Sequence, residues 1–268
     1  TQDRYPNTIQ IGDVRNVTYV DGYLYAADGQ GYEVPHFDIV LAGSPCQDFS
    51  RAGDGSGTGL KGAKSGLYGE FLRLLHETTP TWFLLENVVM DGIHAVARER
   101  ITADLKPFGG VRYQLNSADW CAQRRSRLYW TNVPQREVEV QSKGRKAGTL
   151  AGIRTTDHDY PVTMQELIGK GYQGIKHLQQ WDTTMPKKKE RVAPCITASC
   201  ARSAHKVIVH GEVRMYTIPE CEALQTLPSG YTQAAGGDTK RGEVIGDGWT
   251  VVVVADLLRG LHISTVSR

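Results

Sequence analysis

Four short apolar runs bounded by turn-forming residues punctuate the first half of the chain, at 37–42, 82–85, 111–115 and 128–133. Their β-branched and aromatic content predicts strands. Between the first two, Leu67, Phe71, Leu74 and Leu75 recur at helical spacing and predict a helix over 67–77. Between the second and third, Ile93, Val96, Ala97, Ile101 and Leu105 line up as an apolar stripe and predict a helix over 93–105. Strand–helix–strand–helix–strand alternation predicts an α/β fold with right-handed crossovers and a mostly parallel sheet.

From about residue 135 this periodicity fades. Residues 141–159 are polar and rich in Gly, Lys and Arg, and a basic run holds Lys187, Lys188 and Lys189. A small, loop-rich second domain is expected over 135–212, flanked by a main domain at 1–134 and a return to it at 213–268. Order resumes at Thr217-Ile218-Pro219-Glu220, a capping box that predicts a helix ending before Pro228. A last apolar helix is predicted over 249–261, after a turn at Gly246-Asp247-Gly248.

Composition adds little direction. The chain has 268 residues, with 31 Lys+Arg against 29 Asp+Glu, a net charge of +2 that neither requires nor excludes a nucleic-acid partner. The longest apolar run, 251–255, is far short of the ~18 residues of a membrane span. Five cysteines, odd in number and without a CxxC pair, predict neither a disulfide framework nor a zinc site. A soluble cytoplasmic protein without a leader peptide, a membrane or a bound metal is the expectation.

Candidate chemistry gathers at strand ends. Cys46 follows the first predicted strand within Ser44-Pro45-Cys46-Gln47, where open α/β sheets place ligands. By itself it reads equally as a small buried residue in a turn. Six glycines between Gly53 and Gly66 make a segment suited to a mobile lid. Glu86 closes the second strand, so adjacent parallel strands bring Cys46 and Glu86 to one rim, pairing a nucleophile with a proton donor. The fourth strand opens with Gln123-Arg124-Arg125-Ser126-Arg127. Alternation puts Arg125 and Arg127 on one face, either to grip an anion or to guard a solvated edge.

Pro-Cys-Gln, Glu-Asn-Val and Gln-x-Arg-x-Arg, in this order and at these separations, resemble the signature motifs of DNA (cytosine-5)-methyltransferases of the bacterial or phage kind. The likeness extends from about residue 11 to 261. Gly12-Asp13-Val14, Ala193-Pro194-Cys195-Ile196-Thr197, residues 215–228 and Gly246-Asp247-Gly248-Trp249 resemble further family motifs. The resemblance implies a Rossmann-like methyltransferase domain with a target-recognition domain. It assigns the thiolate that adds to carbon 6 of cytosine to Cys46 and the acid at N3 to Glu86. The base's O2 falls to Arg127, and support of the Cys46 and Glu86 surroundings to Arg125. S-Adenosylmethionine is the implied cofactor, with Asp13, Val14, Pro45, Leu67, Asp247 and Trp249 around it. Double-stranded DNA is the implied partner, met by Gln47, Ser50 and Lys187–Lys189. The lysine run reads equally as a solvated charge cluster.

The family's Asp-x-Phe-x-Gly-x-Gly turn is absent. Asp54-Gly55-Ser56-Gly57-Thr58-Gly59 imitates it, but follows Pro-Cys-Gln and opens no helix. A preceding segment of about 50 residues, one and a half strand–helix units, or a second chain, is expected to supply that turn. Two other functions compete with this one: a tRNA cytosine-5 methyltransferase, whose extra Cys-Phe-Thr signature is missing, and a non-catalytic DNA-binding homologue.

Overall fold

The computed structural model describes residues 3–43, 67–135, 193–200 and 215–261, and the backbone of 176–179, 205–209 and 212–214. The chain divides into two compact units. One comprises Thr1–Leu115, Ser126–Pro134 and Gly260–Arg268; the other comprises Asn116–Arg125 and Gln135–Arg259.

The first unit opens with an antiparallel meander of three-residue strands, β1 (Thr18–Val20), β2 (Tyr23–Tyr25) and β3 (Gly31–Glu33). Val20 pairs with Tyr23 around Asp21 (φ 50°) and Gly22 (φ 81°). Two successive residues at positive φ are what a tight hairpin needs, and Asp-Gly supplies them cheaply. The main sheet has the order β4-β5-β7-β6, from β4 (Ile39–Gly43), β5 (Trp82–Val88), β6 (Val111–Asn116) and β7 (Ser126–Thr131). β4 runs parallel to β5, but β7 runs antiparallel to it. The α/β class is therefore as the alternation indicates, with a mixed sheet in place of a mostly parallel one.

Helices α1 (Leu67–Thr78) and α2 (Ala95–Leu105) supply the rest of this core. Phe71 and Leu75 of α1 join Phe83 and Leu85 of β5, Ile101 and Leu105 of α2, and Leu128 and Trp130 of β7. Residues 83–87 of β5 are buried without a break, the mark of a strand covered on both faces. Each large apolar side chain buried here contributes about 1.5–3 kcal/mol. The α2 stripe is narrower than its spacing predicts. Ala97, Ile101 and Leu105 are buried, whereas Ile93 and Val96 are 80% and 79% exposed. Ile93 lies in a 3₁₀ turn before the helix, which starts at Ala95, and Val96 stands about 100° around the helix from the buried Ala97–Ile101–Leu105 line.

In the second unit β8 (Lys176–Gln179), β9 (His205–Val209) and β10 (Glu212–Met215) form an antiparallel sheet of order β10-β9-β8. Helix α3 (Ile218–Leu224) has the capping box in place. The Thr217 amide donates to Glu220 at 2.8 Å, and the Glu220 amide donates to the Thr217 hydroxyl at 3.4 Å. Helix α4 (Asp238–Asp247), which the sequence reading does not assign, runs through Gly246-Asp247, so the predicted turn does not stand there. Helix α5 (Val251–Leu257) is shorter than the predicted 249–261, ending in a 3₁₀ turn at Leu258–Gly260. Ile196, Cys200, Ile218, Cys221, Leu224 and Ile245 form the core of this unit.

Candidate active site

The parallel register of β4 and β5 places Gly43 opposite Glu86. Glu86 therefore stands where β4 ends, and Cys46 follows Gly43 by three residues in sequence. Cys46, Pro45, Gln47, Ser50 and the glycine segment lie outside the described residues, as do Lys187, Lys188 and Lys189. Glu86 is 8% exposed, near the carboxyl end of a strand whose preceding residues, 82–85, are all apolar.

A buried carboxylate requires a charged or hydrogen-bonding partner. Antiparallel pairing supplies one. Val88 stands opposite Arg127 and Glu86 opposite Tyr129, so Arg127 is the diagonal neighbour of Glu86 on the same face. Arg127 Nε lies 3.0 Å from Glu86 Oε1, with side-chain exposures of 15% and 11%. Arg127 Nη1 also donates to the Ser126 carbonyl at 2.8 Å.

Arg125 stands just before β7. Strand β7 begins at Ser126, so the alternation that carries Arg127 toward Glu86 does not reach back to Arg125. Arg125 belongs to the second unit and is 6% exposed. Its Nη1 donates to Ile196 O at 2.8 Å; its Nη2 donates to Gly246 O at 3.0 Å and Gly248 O at 2.9 Å. Arg125 thus grips three carbonyls of its own unit. Gln123, a motif residue given no role by the sequence, completes this arrangement. Its Oε1 accepts from the Ile196 amide at 2.8 Å, and its Nε2 donates to Leu224 O at 2.8 Å. Gln225 Nε2 reaches Ile245 O at 2.8 Å and Gly248 O at 3.2 Å. Two buried glutamines, each donating to main-chain carbonyls, are the signal that sequence reading passes over.

Of the residues assigned to the cofactor, Asp13 and Val14 lie in a 3₁₀ turn of the first unit. Gly12 precedes them at φ 79°, where an added Cβ would stand 2.8 Å from the Ala27 Cβ. Arg73 of α1 pins this turn by donating to Val14 O at 3.1 Å and Val17 O at 2.8 Å. The Asp13 carboxylate is exposed and accepts from the Arg15 Nε at 3.0 Å and the Arg15 amide at 3.0 Å. The side-chain bond and then the amide bond hold its pKa at about 2, so it stays an anionic acceptor. Leu67, half-buried, opens α1. In the second unit Asp247 is exposed beside half-buried Trp249. Taken singly, a carboxylate such as that of Asp13 and an indole such as that of Trp249 have the chemistry that an adenine amino group and ring require.

Two of the described cysteines, Cys121 and Cys221, are ill-suited to nucleophilic work. Burial raises the Cys121 thiol. Its hydrogen bond to Cys200, then burial, push the Cys221 thiol up, so Cys221 is held neutral. Among the described residues no cluster of His, Cys, Asp and Glu forms a metal site, and no helix is long and apolar enough to cross a membrane.

The chain belongs to the C-5 cytosine-specific DNA methylase family, which it matches over residues 4–148. Within that family it is 38% identical over 169 residues to Type II methyltransferase M.BanI of Aneurinibacillus aneurinilyticus, covering 60% of this chain and 38% of that protein. It is 29% identical over 209 residues to M.NlaIV of Neisseria lactamica, covering 68% of this chain and 46% of that one. M.Bsp6I of Bacillus sp. (strain RFL6) is 25% identical over 273 residues, covering 86% of this chain and 76% of that protein. The chain spans less than half the length of M.BanI and of M.NlaIV. Among solved structures, S. pombe Dnmt2 methyltransferase shares the fold with a TM-score of 0.51 at 18% identity, covering 84% of this chain and 79% of that one.

Proposed function

We propose that this protein transfers a methyl group from S-adenosylmethionine to carbon 5 of cytosine in double-stranded DNA. Family membership supports the reaction class. The observation that carries the residue roles is the buried Glu86–Arg127 pair, at a strand end whose parallel neighbour runs on toward Cys46. Carbon 5 of cytosine is a poor nucleophile. The Cys46 thiolate adds to carbon 6, forming an S–C6 bond, while Glu86 donates a proton to N3 and takes up the developing charge. Carbon 5 then carries enamine electron density. Arg127 holds Glu86 in place and reaches the base's O2. Once carbon 5 holds the methyl group, loss of its remaining proton to solvent, return of the N3 proton to Glu86 and expulsion of the Cys46 thiolate restore the ring. S-Adenosylmethionine supplies a methyl group made electrophilic by its sulfonium.

Base chemistry of this kind requires the cytosine to leave the stack, which costs a few kcal/mol. The glycine segment before Gly66 closes over the extruded base, residues 135–212 read the target, and Gln47, Ser50 and Lys187–Lys189 meet the DNA. Asp13, Val14, Pro45, Leu67, Asp247 and Trp249 hold the cofactor. Localisation follows the reading: bacterial or phage-infected cytoplasm, where DNA and the methyl donor are found.

A duplex carrying 5-fluorocytosine tests the proposal. Fluorine cannot leave as a cation, so the wild-type protein with S-adenosylmethionine is expected to form a covalent complex that survives denaturing electrophoresis. Cys46→Ala is expected to bind the duplex and give no adduct. Absence of an adduct with the wild-type protein, or an adduct formed by the Ala variant, would overturn the residue assignment.

A further inference from the structure

We infer that Arg125 is a positioning residue for the methyl donor, acting through the peptide segment that presents Asp247 and Trp249. The inference rests on the proposed cofactor role of those two residues. The Arg125 Nη2 donates at once to Gly246 O and Gly248 O, the carbonyls on either side of Asp247. A single nitrogen bonded to carbonyls two residues apart fixes the direction of the 246–247 and 248–249 peptide planes, and so restricts the direction in which Asp247 leaves the chain.

Each neighbouring interaction reinforces that hold. Gln225 Nε2 donates to Gly248 O at 3.2 Å from the other side, and Arg125 Nη1 anchors the guanidinium on Ile196 O at 2.8 Å. Ile196 is itself held through its amide by Gln123 Oε1 at 2.8 Å. The segment has no slack to adjust elsewhere. A Cβ on Gly246 would lie 2.1 Å from the Ala198 amide nitrogen and 2.1 Å from the Thr197 carbonyl carbon. All of these residues belong to one unit. Arg125 Nε, by contrast, is buried without a hydrogen-bond partner. An arginine that leaves one donor unsatisfied is retained for the geometry of the other two nitrogens, since an orphaned buried donor costs free energy. Lysine, with a point charge at the end of a flexible stem, cannot reproduce the planar fork.

The discriminating variant is Arg125→Lys in the full chain, assayed with duplex DNA and radiolabelled S-adenosylmethionine. The KM for S-adenosylmethionine is expected to rise about tenfold, as removal of a charge-assisted hydrogen bond that positions a ligand-binding segment predicts, while kcat stays within about twofold. Arg127→Lys is expected to give the opposite split, a lower kcat at near-constant KM. If Arg125 served only to keep the unit folded, Arg125→Lys would lower the active fraction, and kcat would fall with KM unchanged. That result overturns the inference. Should Arg125→Lys fail to fold, Gln225→Asn withdraws the second donor from Gly248 O and is expected to raise the same KM to a lesser degree; an unchanged KM there overturns it equally. Failure of the underlying reading looks different: a wild-type protein that transfers no methyl group to DNA and shows no cofactor binding.

Discussion

Arg127 and Glu86 face one another diagonally across the antiparallel β5–β7 pair, Nε to Oε1 at 3.0 Å, with little of either side chain exposed. Glu86→Gln keeps the shape and one acceptor for Arg127 but removes the acid that gives N3 its proton. Methyl transfer is expected to fall about a hundredfold or more, the scale of general acid catalysis, with duplex affinity retained. Single-turnover rates beside a filter-binding titration check this. A loss of less than about tenfold would remove Glu86 from the chemistry.

The Glu222 carboxylate has no exposed surface. It accepts from the Gly230 and Thr232 amides at 2.7 and 2.8 Å and from the Thr232 hydroxyl at 2.6 Å, and it pairs with Arg241 at 3.2 Å. Burial works to raise its pKa, but these hydrogen bonds outweigh it and leave the group below its usual range. The folded value is therefore lower than the unfolded one. The stability this group contributes is complete above the ordinary carboxylate value of about 4.3 and is lost as pH falls through the folded value. Glu222→Gln is expected to cost about 3 kcal/mol at neutral pH, and the gap to wild type should narrow as acid is added. Urea titrations at a series of pH values measure it.

Gly246 sits against the 197–198 backbone with no room for a methyl group. Gly246→Ala is expected to destabilise the protein by about 3 kcal/mol, because the clash is with main chain that cannot rotate aside. Thermal unfolding read through tryptophan fluorescence reports the loss.

Leu75 has no exposed surface in the α1–β5–α2 core. Leu75→Ala is expected to cost about 2–5 kcal/mol in urea unfolding, the range for emptying such a site. A cost below about 1 kcal/mol would mean that the surrounding core collapses onto the gap.

Replacing Lys187, Lys188 and Lys189 together by Ala is expected to weaken duplex binding evenly across sequences. It should also lower the steepness of the salt dependence by about 0.9 for each phosphate no longer neutralised. Fluorescence anisotropy over a range of salt concentrations checks this, and an unchanged slope would make the run a solvated charge cluster.

The elements that read clearly from sequence are those in which one periodicity dominates. β5, α1 and β6 match the residues that apolar runs and helical spacing pick out, and Thr217 and Glu220 form the predicted capping box. The meander escapes such reading because three-residue strands are too short to show alternation, although Asp21-Gly22 is a usable hairpin signal. Helix α4 escapes it because Gly242 and Gly246 lower its propensity and its apolar content is low; packing against its own unit outweighs that preference. Ile93 and Val96 show the reverse error, helical spacing without burial. At the site, Glu86 and Arg127 are legible because strand ends and alternation locate them. The bonds of Arg125 are not legible, because it precedes the strand and hydrogen bonds to distant main chain leave no trace in spacing.

Gln123, Arg125 and Arg127 lie within five consecutive positions, yet the first two are bonded inside one unit and the third inside the other. A saturation scan of this stretch should therefore sort into two kinds of damage. Changes at the two earlier positions surface as lost yield or weakened hold on the methyl donor, whereas changes at the last leave an abundant, folded protein that turns over slowly.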